Sequence, residues 1–149
     1  GKLLDKTYKG GPIVFNPFTT KVIKMDTRTI EKFNVLPLPT KEGLSVNAEI
    51  TLLYHIDPLQ SKFIYTKFGT NYEEIIVLSN FRATAREISA RYSAKELYAT
   101  ERLKIEKAIF DELSSHIEQH GFIVDAVLLK DIDLPAQMIK AIEKQLKEK

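Results

Sequence analysis

The sequence predicts an α+β fold, with a largely antiparallel sheet, helices packed on one of its faces, and a C-terminal helix leading away. Three observations predict it. Leu44–Pro58 alternates with period two, placing Val46, Ala48, Ile50, Leu52, Tyr54 and Ile56 on one face and Asn47, Glu49, Thr51, Leu53 and His55 on the other. That is the pattern of a half-buried strand. After Pro58 the apolar spacing changes to steps of three and four as far as Gly121, the signature of helices. From Phe122 strand composition returns, and Pro135 introduces a last helical stretch. Strands, then helices, then one strand and an open-ended helix is the order of an α+β domain.

Taken in order, Gly10-Gly11-Pro12 is a breaker, and the apolar run after it is interrupted by Pro17. An edge strand or irregular hairpin showing Phe15 or Phe18 outward fits that interruption. Residues from Val22 to Phe33 contain no glycine or proline and are mostly β-favouring, so they read as a strand. Val35-Leu36-Pro37-Leu38-Pro39 is expected to lead as an extended segment into the turn Thr40-Lys41-Glu42-Gly43. The strand Val46–Ile56 that follows would run about 36 Å at ~3.3 Å per residue, long enough to span the sheet or to bend. It stops at Asp57-Pro58, where proline cannot donate to a ladder but can open a helix.

Leu59, Phe63, Tyr65, Thr66 and Phe68 suggest a short helix stopped by Gly69. Asn71 is placed to cap the next, whose apolar stripe is Ile75, Leu78, Phe81, Ala85, Ile88 and Tyr92. Ser93-Ala94-Lys95-Glu96 has the spacing of a capping box, and Thr100 offers another cap. Leu103, Ile109, Phe110, Leu113 and Ile117 form the stripe of a long helix ended by Gly121. Phe122–Leu134 then reads as strand, and Ile139, Ile142 and Leu146 recur at helical spacing towards Lys149. No stop signal precedes that residue, so the sequence reads as ending inside a longer helix. The expected organisation is one domain over residues 1–134, with 135–149 the start of the helix.

Composition restricts the function classes. Of 149 residues, 44% are hydrophobic and 28% charged, as in globular chains, and no apolar run reaches the length of a bilayer span. No basic-then-apolar leader is seen. With no cysteine there are neither disulfides nor thiolate metal sites. A net charge of +2 gives no argument for nucleic acid. Residues 1–43 nevertheless carry eight Lys/Arg against four Asp/Glu, a balance that suits either ordinary solvated lysines or an anionic surface nearby.

Residues with catalytic or ligating chemistry are few. His116 and His120 are four apart on a helix, a metal-ligand spacing, but without H-E-x-x-H or a third ligand they read as polar groups suited to a helix C-terminus. His55 reads as a surface histidine. Asp125, Asp131 and Asp133 share a face, a pattern given either by acid–base chemistry or by a solvated strand. Arg82 and Arg86 form an i, i+4 pair that reads either as ordinary helix-surface arginines or as a site for phosphate or a carboxylate of a neighbouring subunit. No catalytic residue, cofactor site or metal site is assigned.

The succession Gly11-Pro12, Phe15-Asn16-Pro17-Phe18, Asp26-Thr27-Arg28, Thr40-Lys41-Glu42-Gly43, Tyr54-His55-Ile56-Asp57-Pro58, Phe81-Arg82 with Arg86, and Asp131-Ile132-Asp133-Leu134-Pro135 resembles the SPFH, or band 7, domain of stomatins, prohibitins and flotillins. The resemblance covers nearly the whole chain, and Gly69–Glu74 with Ala126–Asp131 is most similar to bacterial prohibitin-like members. It implies a non-enzymatic, membrane-associated scaffold, anchored by a segment N-terminal to Gly1 and continued by a coiled coil. It further implies assembly with copies of itself, membrane lipid as a partner, and organisation of membrane microdomains or regulation of a membrane-bound AAA+ protease, with no nucleic acid. By that analogy Phe15, Pro17 and Phe18, flanked by Lys9 and Lys21, would face the bilayer, although the two rings filling the core is an equal reading. Arg82, Arg86, Ile139, Ile142 and Leu146 would contribute to subunit contacts. A soluble module binding a protease or peptide without lipid is the alternative function.

Overall fold

Two long strands joined by a tight turn form the centre of the molecule. The computed structural model describes residues 28–148. Strand β1 spans Ile30–Pro39 and β2 spans Ser45–Ile56, antiparallel, with Ile30 opposite Tyr54 and Pro39 opposite Ser45. Strand β3, Phe122–Asp133, pairs antiparallel with the other side of β2, so the sheet order is β1-β2-β3 and β2 is central. The period-two reading of β2 holds closely, since all six residues of its apolar face are buried.

The first strand lies further along the chain than its composition suggests. It continues through Pro37 and Pro39, and residues 22–27 lie outside the described residues. Prolines are tolerated there because β1 has no partner on its other side among the described residues. Pro37 and Pro39 have the same parity, so the N–H groups they lack belong to the side away from β2. The Pro39 carbonyl accepts instead from Ser89 Oγ at 2.8 Å.

Helix α1, Ser61–Phe68, follows a 3-10 turn at Pro58–Gln60, with Asp57 Oδ1 accepting from Leu59 N–H. A π-helical turn at Glu73–Leu78 runs into α2, Ser79–Ser89, and another at Glu96–Thr100 precedes α3, Arg102–Ile117. These two wide turns shift the helical phase, and they account for the stripes that differ from expectation. Ile76 and Val77 are buried where Ile75 is exposed, and Ile105 is buried where Leu103 is 80% exposed. Neither Asn71 nor Thr100 caps a helix: the flanking cap positions are Tyr72 and Glu101, without side-chain bonds. Helix α4, Ala136–Lys147, starts directly after Pro135.

The capping box is formed as its spacing implies. Ser93 N–H donates to Glu96 Oε1 at 2.8 Å, and Glu96 N–H donates to Ser93 Oγ at 3.1 Å. Glu42, in the β1–β2 turn, accepts from Ala94 N–H at 3.0 Å and so ties the hairpin tip to the same helix start. The Ser93 N–H bond is the largest influence on Glu96. With the Ser93 hydroxyl, Lys41 and Lys104 it outweighs partial burial and holds the carboxyl below its ordinary 4.5. For Glu42, desolvation pushes upward, but bonds from Ala94, its own N–H and Thr40, with the Lys41 charge, together leave it lowered as well.

A carboxyl lowered on folding contributes stability that is complete above its unfolded pKa and is lost as pH falls through the folded one. Taking the protein from about pH 6 to about pH 3 is therefore expected to lower its urea midpoint. Glu42→Gln with Glu96→Gln should flatten that dependence; an unchanged pH profile would assign the loss to other carboxylates. Ser93→Ala should cost about 1 kcal/mol at neutral pH.

The core lies between the apolar face of the sheet and the helices. Leu36, Leu38, Val127 and Leu129 flank the β2 face, and Phe81, Ile88, Ile105, Ile109 and Leu113 cover it from α2 and α3. An aromatic group closes one end: Phe122 meets Tyr54 edge-on at 6.2 Å, and Tyr72 stacks on Phe122 at 6.0 Å. The Tyr54 hydroxyl donates to Glu73, which Lys32 Nζ approaches to 2.9 Å. The buried end of this phenol thus has a polar partner, as its burial requires.

The sheet has two distinct ends. The start of β1, the end of β2, helix α1 and Gly121 lie together at one, with Ile56 opposite Phe122 and Asp57 N–H donating to Gly121 O at 2.9 Å. The β1–β2 turn, Asp133 and the start of α4 lie at the other, where Asn47 is opposite Asp133.

Candidate interaction surfaces

Each edge of a sheet carries unpaired backbone groups, so the edges show which surfaces are closed. The edge of β3 is closed by two side chains of α3. Arg102 donates to the carbonyls of Leu129 and Lys130 and also to Tyr98 O in the π-helical turn before its helix, while Glu106 Oε2 accepts from Leu129 N–H at 2.7 Å. The site of this clamp is an irregularity in pairing: between Ala48 and Ile50, the β3 partners jump from Ile132 to Leu129. A bulge leaves ladder groups unpaired, and a planar guanidinium spans two of them where a lysine would not. No sequence signal had marked Arg102; its i, i+4 relation to Glu106 resembles any helix-surface ion pair.

Beside that clamp lies an open groove of about 660 Å³, bounded by Glu49, Tyr98, Arg102, Asp131, Asp133 and Ile139. Asp131 and Asp133 are therefore at the α4 end. Asp125 is exposed on the same broad face near the other end, where its carboxylate meets His55 Nδ1 at 2.9 Å. The three aspartates do not converge. His55 is paired rather than merely solvated, an arrangement set by the second irregularity of β2–β3 pairing, which leaves Asp125 without an opposite residue.

The two helical histidines part company as well. His116 faces Glu112 at 3.8 Å, whereas His120 packs edge-on against Phe68 with ring centroids 5.7 Å apart. Among the described residues no group of three or more His, Cys, Asp or Glu is gathered as metal ligands would be.

The residues singled out for subunit contact lie on two elements. Arg82 is ion-paired with Glu74, and Arg86 is exposed on α2. On α4, Ile142 is buried in the domain core, Ile139 is half-buried and Leu146 is exposed, so the apolar stripe passes from the core out to solvent along the helix. The bilayer-facing candidates Lys9, Phe15, Pro17, Phe18 and Lys21 lie outside the described residues. On the sheet face away from the helices, Phe33 and Val35 are 60% and 57% exposed.

Comparison with known proteins decides the family. The model of the SPFH domain / Band 7 family matches residues 1–149, the whole chain. The chain belongs to the SPFH/band 7 family. Among curated relatives, it is 27% identical over 133 residues to Prohibitin 1 of Drosophila melanogaster, covering 89% of this chain and 48% of that protein. Against Prohibitin-1 of Saccharomyces cerevisiae it is 28% identical over 129 residues, covering 87% and 45%. Against Prohibitin 1 of Mus musculus it is 26% identical over 127 residues, covering 85% and 46%. The chain thus spans a little under half the length of these relatives. The SPFH domain described here has no helix, among its described residues, long and apolar enough to cross a membrane.

Proposed function

We propose that this SPFH domain is a non-enzymatic scaffold unit that lies against a membrane and assembles with copies of itself, organising a membrane patch or enclosing a membrane-bound AAA+ protease. The observation that carries the reading is the two-ended architecture. The chain comes into the sheet at one end, and at the other it leaves into α4, whose apolar stripe runs from buried Ile142 to exposed Leu146. An amphipathic helix that has used only part of its apolar face on its own domain suits continuation into a helical bundle between copies. Family membership and the similarity to prohibitins support the same reading. Arg86 and Leu146 would meet neighbouring subunits, and Phe15, Pro17 and Phe18, with Lys9 and Lys21, would meet lipid. Residues 135–149 are accordingly taken as the beginning of the assembling helix.

Expression of the full-length polypeptide tests this. It is expected in the membrane fraction as a large homo-oligomer, with the 149-residue chain alone monomeric or weakly associated in sedimentation velocity. Full-length protein that remains soluble as single molecules would overturn the scaffold reading. The groove beside Arg102 favours a second reading, a peptide-binding module working without lipid, which that soluble outcome would leave standing.

A further inference from the structure

We infer that the Pro58–Gln60 turn and helix α1 form a contact surface for an anionic lipid bilayer, through Leu59, Lys62, Phe63 and Lys67. The inference rests on the membrane reading above and adds a site to it. Leu59 is 91% exposed at the tip of a 3-10 turn, and Phe63, one helical turn on, is 49% exposed. Leu59 and Lys62 are three apart, and Leu59, Phe63 and Lys67 follow at steps of four; all four are exposed, while Ile64 is buried. Leucine and phenylalanine beside lysines, on the solvent face of a short amphipathic segment, have the chemistry of an interfacial anchor.

Charge supports the same occupant. From Pro58 to Tyr72 the sequence contains two lysines and no acidic residue. Neither Lys62 nor Lys67 is paired with a carboxylate among the described residues, and Asp57, the acid just before the segment in sequence, is engaged by Leu59 N–H. The Lys67 ammonium lies 5.6 Å from the Phe63 ring centroid and 5.4 Å from that of Phe68, so cation and rings are presented together. Lysines of this kind place their stems along apolar surface and reach headgroup phosphate with their tips.

A second copy of the chain fits less well. Two isolated apolar side chains are far short of the roughly 800 Å² per partner that a stable protein interface buries. A two-fold self-contact would also set lysine against lysine. Position completes the argument: the patch is at the end of the sheet where the chain comes into β1, opposite the start of α4.

The absence of cysteine makes the test direct, because a single introduced thiol is unique. Leu59→Cys and Leu103→Cys, each labelled with an environment-sensitive fluorophore, are mixed with vesicles of phosphatidylcholine containing phosphatidylserine, and with phosphatidylcholine alone. Leu103 is an exposed leucine beside Lys104, on the helix that clamps the α4-end half of β3, and serves as the control. The expected result is a blue shift at position 59 only, requiring phosphatidylserine and lost at high salt. Lys62→Gln with Lys67→Gln should weaken partitioning about 25-fold, at ~fivefold per lysine, with the circular dichroism unchanged. No shift at 59, equal shifts at 59 and 103, or undiminished binding by the lysine variant would each overturn the inference. If any of these occurs while the full-length protein fractionates with membranes, the scaffold reading stands alone; a soluble full-length protein removes both.

Discussion

Gly121→Ala is expected to destabilise the domain by about 3 kcal/mol, seen as a lower urea midpoint with an unchanged slope. Two penalties combine at this position. Its φ is +93°, in the left-handed region that costs a side-chain-bearing residue about 1 kcal/mol or more. A Cβ there would also lie 2.6 Å from Gln60 Cβ and 2.9 Å from Ile64 Cδ1. The Ile64 methyl can rotate away, but Gln60 Cβ moves only with its backbone, and that backbone is the start of α1. The Asp57 N–H bond to Gly121 O holds the two segments together from the other side. Asparagine usually relieves a left-handed position, yet Gly121→Asn should not recover the loss because its Cβ meets the same atoms. Gly43, at φ +87° with open space around it, provides the contrast: Gly43→Asn should cost well under about 1 kcal/mol. Equal effects at the two sites would show that conformation alone, not packing against α1, sets the requirement at 121.

Arg102→Ala is expected to cost about 2 to 3 kcal/mol, the range for a charge-assisted hydrogen bond whose removal leaves partly buried carbonyls unpaired. The carbonyls of Leu129 and Lys130 would lose their donor at the bulge, where β2 does not supply one. Arg102→Lys should recover only part of the loss, since an ammonium cannot bridge Tyr98 O and two strand carbonyls in one plane. A second consequence separates this role from simple packing. With its guard removed, the edge of β3 offers backbone groups to another chain, so the alanine variant should self-associate with rising concentration while still folded. Sedimentation velocity at two concentrations would read this; a destabilised variant that stays monomeric would mean that Glu106 alone protects the edge.

The two effects lie on parts of the sequence of very different legibility. The central strand could be read residue by residue because burial on one face imposes strict alternation, and any slip would expose six apolar side chains. Gly69, Gly121, Pro135 and the Ser93–Glu96 box carried local conformational signals that tertiary structure did not override. The wide turns at Glu73–Leu78 and Glu96–Thr100 carried none, and their extra residue moved the buried positions to Ile76, Val77 and Ile105. The prolines of β1 read as the end of a strand because their tolerance depends on which side of the sheet lacks a neighbour. Contacts across the fold were the least visible. The His55–Asp125 pair and the Arg102 clamp join residues 70 and 27 or 28 positions apart, through pairing irregularities that periodicity cannot locate. The exposed tip at Leu59 was read as one apolar residue of a helix stripe, since a hydrophobic letter does not reveal whether anything packs on it.

The opposed ends of the sheet fix a length as well as a direction. Strand β2 has 12 residues, which at ~3.3 Å each amounts to about 40 Å of continuously bonded backbone. Along it, the entry to β1 opposite Tyr54 and the exit of β3 opposite Asn47 are seven residues apart, about 23 Å, and the hairpin and the β3 ladder hold that separation. In the proposed assembly, the spacing between the two ends of each copy would be set by strand length rather than by the flexibility of a linker.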